Sequence, residues 1–256
     1  ILEDGSSVKL DRQSTFQTAD ATVRNTEHTG VISYKKTEKT EKKEVKMNRL
    51  IVPRGGEYRV ELADGTLVYL NAESELRFPK QFRGKNRKVY LTGEGYFDVQ
   101  RNEKQPFIVK AQQVEIRVLG TSFGVRAYTR EVNVLTTLVQ GRVNVEADGQ
   151  QVELDPGQQA DFNRGNDRLT VAEVDVEQYV GWKDGRLVFD NKPLEFILEE
   201  LGRWYSFDVF YTNKELKEIP YSLNIKKHED IAHVLKFIER TGKVKFEVNK
   251  NTIIVK

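Results

Sequence analysis

Three histidines, 39 aspartates and glutamates and a few glycine clusters are the groups from which this chain could assemble a reaction centre. A metal ion needs ligands that converge, commonly two histidines on one helix face. His228 and His233 stand five residues apart around an expected helix start, so they do not share a face, and His28 lies in a polar stretch. Glycoside cleavage needs two carboxylates at a set separation. Among 39 acidic residues the spacing singles out no such pair. Gly93-Glu-Gly95 lacks the third glycine of a dinucleotide fingerprint and runs into Tyr96-Phe-Asp-Val99, a strand where a phosphate cradle would need a helix N-terminus. It reads as a turn, as does Arg54-Gly-Gly56 after Pro53. No Gly-x-Ser-x-Gly elbow and no Gly-x-x-x-x-Gly-Lys-Ser/Thr loop occurs. Trp182, Trp204, Tyr205, Phe207, Phe210 and Tyr211 read as core and sheet-face residues rather than a sugar platform. These readings imply no catalytic residue, no cofactor and no metal site.

The bulk composition agrees with that. Hydrophobic residues make up 38% of the 256, and 18 glycines add to the apolar share, as in ordinary globular chains, which excludes disorder of the whole. Lys+Arg 41 against Asp+Glu 39 leaves a formal +2, too balanced for a nucleic-acid footprint. The absence of cysteine excludes disulfides, thiolate metal sites and Cys nucleophiles. No apolar run approaches the roughly 18 residues of a membrane span. The chain starts at Ile1 and its only methionine is Met47, as expected of a trimmed fragment or a processed chain, from which a signal peptide or anchor could have been removed.

Whatever positions a functional surface here is mostly β. Through residues 1–180 short runs alternate apolar and polar, as in Val114, Ile116 and Val118 around Glu115 and Arg117. Tyr58–Leu62 and Leu67–Leu70 flank Asp64-Gly65, a hairpin signal. The same Asp-Gly, two residues, Val, one residue, Leu pattern recurs from Asp4, Asp64 and Asp148, with a partial echo from Asp184. Such strands suit a stacked, solenoid-like or sandwich-like β domain. Residues 35–46 hold nine charges and one apolar residue, with no aromatic to stack on a base, and read as a solvated loop or hairpin tip.

The pattern changes near Val180. Leu194, Ile197, Leu198 and Leu201 sit at i, i+3, i+4 and i+7 behind Pro193. Ile231, Val234, Leu235 and Ile238 repeat that spacing behind Glu229-Asp230 and before Gly242. With strands at 207–211, 221–225, 243–248 and 252–255, the order is βαβ then βαββ. That predicts a small α+β domain with helices on one sheet face. The expected division is 1–49 (N-terminal β extension and charged loop), 50–180 (β domain) and 181–256 (α+β domain).

Five strand–turn motifs follow one another in order: Val52-Pro-Arg-Gly-Gly-Glu-Tyr58, Leu62-Ala-Asp-Gly-Thr-Leu-Val-Tyr-Leu-Asn-Ala72, Val89-Tyr-Leu-Thr-Gly-Glu-Gly-Tyr-Phe-Asp-Val99, Val118-Leu-Gly-Thr-Ser-Phe-Gly-Val125 and Leu138-Val-Gln-Gly-Arg-Val-Asn-Val145. With the βαβ tail they resemble the extracytoplasmic part of FecR-family anti-sigma sensors of the Bacteroidetes type, from about residue 50 to the C-terminus. Gly95 stands where that family usually has Ala. The resemblance implies signalling without catalysis. It implies a periplasmic region tethered to the inner membrane by a span outside this sequence, and a cytoplasmic segment that restrains an extracytoplasmic-function sigma factor. It also implies contact with the N-terminal signalling domain of an outer-membrane TonB-dependent transporter. The tail is similar to the secretin-and-TonB short N-terminal fold. Strand edges pair readily with another chain, so Tyr221, Leu223, Ile225, Thr252 and Ile254 are the candidate partner-binding residues. The helix-face leucines, isoleucines and valines are assigned to core. The competing class is a carbohydrate-binding module or a glycoside-acting enzyme on a β scaffold, which predicts a pocket with converging polar or aromatic groups.

Overall fold

The computed structural model describes residues 47–227 and 229–256 in full, and before them the backbone of 15–18, 21–25 and 31–34. The charged run 35–46, Asp4 and its repeat, His28 and His228 lie outside the described residues. The strands are β1 (Thr15–Thr18), β2 (Ala21–Asn25), β3 (Val31–Tyr34), β4 (Met47–Ile51), β5 (Tyr58–Glu61), β6 (Leu67–Leu70) and β7 (Glu75–Pro79). There follow β8 (Arg87–Asp98), β9 (Phe107–Ala111), β10 (Val114–Val118), β11 (Ser122–Ala127), β12 (Asn133–Gln140) and β13 (Val143–Ala147). Then come β14 (Gln150–Leu154), β15 (Gln158–Asn163), β16 (Arg168–Glu173), the short helix α1 (Glu177–Val180), β17 (Arg186–Pro193) and α2 (Leu194–Tyr205). The chain closes with β18 (Asp208–Tyr211), β19 (Pro220–Lys226), α3 (Ile231–Glu239), β20 (Phe246–Asn249) and β21 (Thr252–Val255). The class is mainly β with an α+β part. No described helix is long and apolar enough to cross a membrane.

Contacts divide the chain into two units, Ile1–Pro53 with Glu57–Val176, and Glu177–Lys256 with Arg54–Gly56. In the first, the strands run in two sheets. One follows the order β1-β2-β3-β5-β6-β8-β11-β12-β15-β16, the other joins β4, β7, β8, β9, β10, β13 and β14. Pairing is antiparallel except for β3 with β5 and β8 with β9. Inward residues of both sheets, among them Val68, Phe97, Phe123, Leu138, Leu76, Val89, Ile116 and Val145, are buried in one core, as alternation along each strand requires. The Asp-Gly signals act as turns. Gly65 (φ +85°) closes the β5–β6 hairpin, with Asp64 carboxylate oxygens accepting from Thr66 N–H at 3.1 Å and its hydroxyl at 2.8 Å. Asp148 and Gly149, both at positive φ, make the β13–β14 turn.

The 12-residue β8 belongs to both sheets. Through Thr92 it pairs with β7 and β9, and from Gly93 onward with β6 and β11. Gly93-Glu-Gly95 is therefore not a turn. It is the bend inside one strand where the strand leaves one sheet for the other. Gly93 has φ +90°, and a Cβ there would stand 2.7 Å from the Cα of Ser74. No other residue type fits both demands.

In the second unit the strand and helix order is βαβ then βαββ, but the strands form two small sheets instead of one. β17 pairs antiparallel with β19, while β18, β21 and β20 form a separate sheet in that order, β18 and β21 parallel. The last strand returns beside β18, so the two halves exchange partners. Helix α2 buries Leu194, Ile197, Leu198, Leu201 and Trp204 and contacts β17 and β18, one strand of each sheet. Helix α3 buries Val234, Leu235 and Ile238, with Ile231 half-buried, and its N-cap Asp230 accepts from Ala232 N–H at 2.9 Å. Arg54–Gly56 complete this unit. The Gly55 N–H donates to the Arg203 carbonyl at 2.8 Å, and the Arg54 guanidinium donates to Asp208 at 2.7 Å and to the Phe207 carbonyl at 2.8 Å.

Candidate functional site

Strand β19 reads exposed–buried alternately from Pro220 to Lys226, with Tyr221, Leu223 and Ile225 turned into the second unit and buried. Its backbone has one partner, β17, among the described residues. Gly185 and Lys227 stand opposite each other just beyond the ladder, and the Lys227 N–H donates to the Gly185 carbonyl at 2.8 Å. Antiparallel pairs alternate between hydrogen-bonded and non-bonded, so Leu187–Ile225 and Phe189–Leu223 are the bonded pairs. The N–H and C=O groups of Ser222 and Asn224 therefore turn away from β17, as does the N–H of Lys226. The Lys226 carbonyl accepts from the Glu229 N–H at 3.0 Å.

That open edge faces α3 across a groove of about 510 Å³, lined on the strand side by residues 222–225 and on the helix side by Glu229, His233, Val234, Lys236, Phe237 and Arg240. Phe237 is 59% exposed, a large ring left in water beside unpaired backbone. The loop into α3 is held by Tyr205, whose hydroxyl donates to the Glu229 carbonyl at 2.8 Å. Burial, then the Glu229 and Asp230 carboxylates, push that phenol up, so it stays a neutral donor.

The other two sequence candidates lie elsewhere. β21 is the middle strand of its sheet, with β18 on one side and β20 on the other. Thr252 and Ile254 thus have no free backbone edge, which corrects the expectation that this strand could add another chain. Their side chains are half-buried. In register, Ile254 stands beside Phe210, which is 60% exposed instead of lying in the core. Trp182, Trp204 and Phe207 are buried. The structure thus brings Tyr221, Leu223 and Ile225 together on one strand and sets Thr252 and Ile254 on another sheet.

Sequence reasoning passed over Phe237, Lys236 and Arg240. The signal was present: Phe237 falls off the 231, 234, 235, 238 stripe that buries α3, so an aromatic residue there had to face outward. Among the described residues no group of three His, Asp or Glu side chains could hold a metal ion. The groove carries a single carboxylate, Glu229. A second cavity of about 290 Å³ in the first unit, lined by Met47, Arg77, Pro79, Phe82, Arg83, Asn86, Lys88 and Tyr90, has none. Neither offers the acid pair of a glycosidase.

Two family models match the chain. One described as FecR protein covers residues 48–144, and one described as FecR, C-terminal covers residues 186–255. The chain belongs to the FecR family. Two crystal structures from Parabacteroides distasonis ATCC 8503, at 1.65 Å and 2.50 Å resolution, each of a protein assigned as an anti-sigma factor, resemble this FecR chain. Each is 27% identical and aligns over 82% of this chain and 98% of its own, with TM-scores of 0.76 and 0.75. No curated protein matches significantly. The FecR C-terminal match opens at Arg186, the start of β17, and closes at Val255, the end of β21. It thus contains the whole edge-and-helix groove.

Proposed function

We propose that this FecR chain is the signal-receiving, periplasmic part of a membrane-anchored anti-sigma factor. In this reading its second unit docks the N-terminal signalling domain of an outer-membrane TonB-dependent transporter. A segment beyond this sequence, on the far side of the inner membrane, restrains an extracytoplasmic-function sigma factor. The observation that carries the reading is the joint match of both FecR models, one on each unit, together with the likeness to an assigned anti-sigma factor over most of both chains. The groove supports docking over catalysis. It offers unpaired main-chain donors and acceptors beside an exposed ring, the features that β-strand addition uses.

The mechanism is one of recognition. A partner strand laid against β19 would satisfy the outward N–H and C=O groups of Ser222 and Asn224 and cover Phe237. Main-chain bonds would set affinity, and the side chains on α3 would set selectivity. Titration calorimetry of the full chain with the transporter's signalling domain tests this. Asn224→Pro removes one outward N–H and leaves the bonded pairs to β17 in place, since proline is tolerated at an edge whose N–H faces water. The parent is expected to bind saturably and N224P at least about tenfold more weakly, one lost hydrogen bond plus strand misfit being worth about 1.5 kcal/mol or more. The thermal midpoint should stay close to the parent's. Equal binding by N224P would remove β19 as the docking edge. No binding by the parent would remove the transporter as the partner.

A further inference from the structure

The chemistry of the groove says more than that a strand fits. Along α3 its lining residues fall into two groups. Glu229 and His233 mark the N-terminal end, and Lys236, Phe237 and Arg240 the C-terminal end. Lys236 and Arg240 are four residues apart, so both cations project from one side of the helix. Both residues are exposed, and among the described residues neither has a salt-bridge partner. Lys226 extends the positive rim from the end of β19, where it is also exposed. Several other cations of the second unit are paired, Lys183 with Asp184, Arg186 with Glu177, Arg203 with Glu200, Lys217 with Glu195 and Lys256 with Glu247. In the groove, two unpaired cations lie beside an unpaired strand edge.

The spacing is specific. One turn of α3 separates Lys236 from Arg240 by about 6 Å along the axis. Alternate residues of a strand lie about 6.7 Å apart on one face. A strand added to β19 presents side chains at positions i and i+2 whose separation is close to that of the two cations. We propose that the natural occupant is an extended polypeptide segment with carboxylates at alternating positions, Asp/Glu-x-Asp/Glu. Its main chain pairs with Ser222 and Asn224, and its two acids face Lys236 and Arg240. This rests on the docking reading above and adds the chemical class of the docked strand.

Two arms separate the added inference from the reading it rests on. In the first, the full chain, labelled with ¹⁵N, is titrated with the capped peptide Thr-Glu-Val-Glu-Val-Thr and with its counterpart in which both Glu are Gln. The acidic peptide is expected to shift the amides of Ser222, Asn224 and residues 236–240. The Gln peptide should bind about three- to tenfold more weakly, the worth of two exposed ion pairs, and the difference should shrink as salt rises. The double variant Lys236→Glu, Arg240→Glu, both at exposed positions, should lose the acidic peptide and gain the Lys counterpart, a reversal that an unfolded variant could not show. Equal binding by the Glu and Gln peptides overturns the acidic specificity, and shifts confined to other surfaces overturn the groove as the site. Concentration-dependent self-association that occupies the same amides would make a second copy of this chain the occupant and overturn it as well. In the second arm the transporter's signalling domain is titrated into the double variant. Reduced affinity supports the inference, while undiminished affinity sinks it and leaves the docking reading standing.

Discussion

Arg87 shows how a single side chain can organise a β domain. It is the largest fully buried side chain among the described residues. Its guanidinium donates to Asp64 Oδ2 at 2.6 Å and to the carbonyls of Gln105 and Gln100 at 2.8 Å, and lies over the Phe107 ring at 5.4 Å. One residue thus ties the β5–β6 turn to the loop between β8 and β9. Arg87→Met keeps the volume and strands the nearly buried Asp64 carboxylate, so urea unfolding should show a loss of about 3–5 kcal/mol; an unchanged midpoint would refute the tie. Asp161 works the other way. Burial pushes its carboxyl up, only partly offset by the Asn133 amide donating at 2.8 Å, and its Oδ1 is buried without a hydrogen bond. A raised native pKa means that the folded state holds the proton more tightly than the unfolded chain. The charged form therefore costs stability above the native pKa, and the cost fades as pH falls through it toward the unfolded value. Asp161→Asn should melt higher than the parent at pH 7, with the gap closing on acidification into the carboxylate range. Parallel pH profiles would exclude the assignment.

At the scale of elements, the Gly93 bend makes the sharpest demand. Gly93→Ala must carry a Cβ at φ +90° and 2.4 Å from the Ser74 hydroxyl, the group that accepts the Glu94 N–H at 2.8 Å. A loss of about 2–5 kcal/mol is expected from strain and overpacking, readable as a lower denaturation midpoint. The same bend shows what a sequence can disclose. Gly-Glu-Gly suits a turn and a kinked strand equally, because both need positive φ, and only the partners of β8 decide between them. Asp64-Gly65 and Asp148-Gly149 were legible because a two-strand hairpin is local. The stripes at 194–201 and 231–238 were legible because a helix is local too. The pairing of β17 with β19 and of β18 with β21 was not, since it depends on which strands meet across 27 or more residues. That is why β19 and β21 stood as equal candidates for an edge, and why β19 and α3 became a groove only in three dimensions.

At the scale of the molecule, the change in pattern near Val180 marks where β repeats give way to helices, but it does not reveal that Arg54–Gly56 join the C-terminal residues. Nothing in Pro-Arg-Gly-Gly distinguishes a solvent turn from one whose N–H meets Arg203, about 150 positions later. Functional assays therefore belong on the whole chain. The shared strand has a kinetic counterpart. β8 is flanked by β7 and β9 along its first half and by β6 and β11 along its second, whereas β16 ends one sheet with most of its residues exposed. In deuterium oxide, β16 amides should exchange first and β8 amides last. A β8 proton leaves only when both layers come apart at once, so its lifetime is a clock for the opening of the entire first unit. Early exchange within β8 would mean that the two layers separate independently.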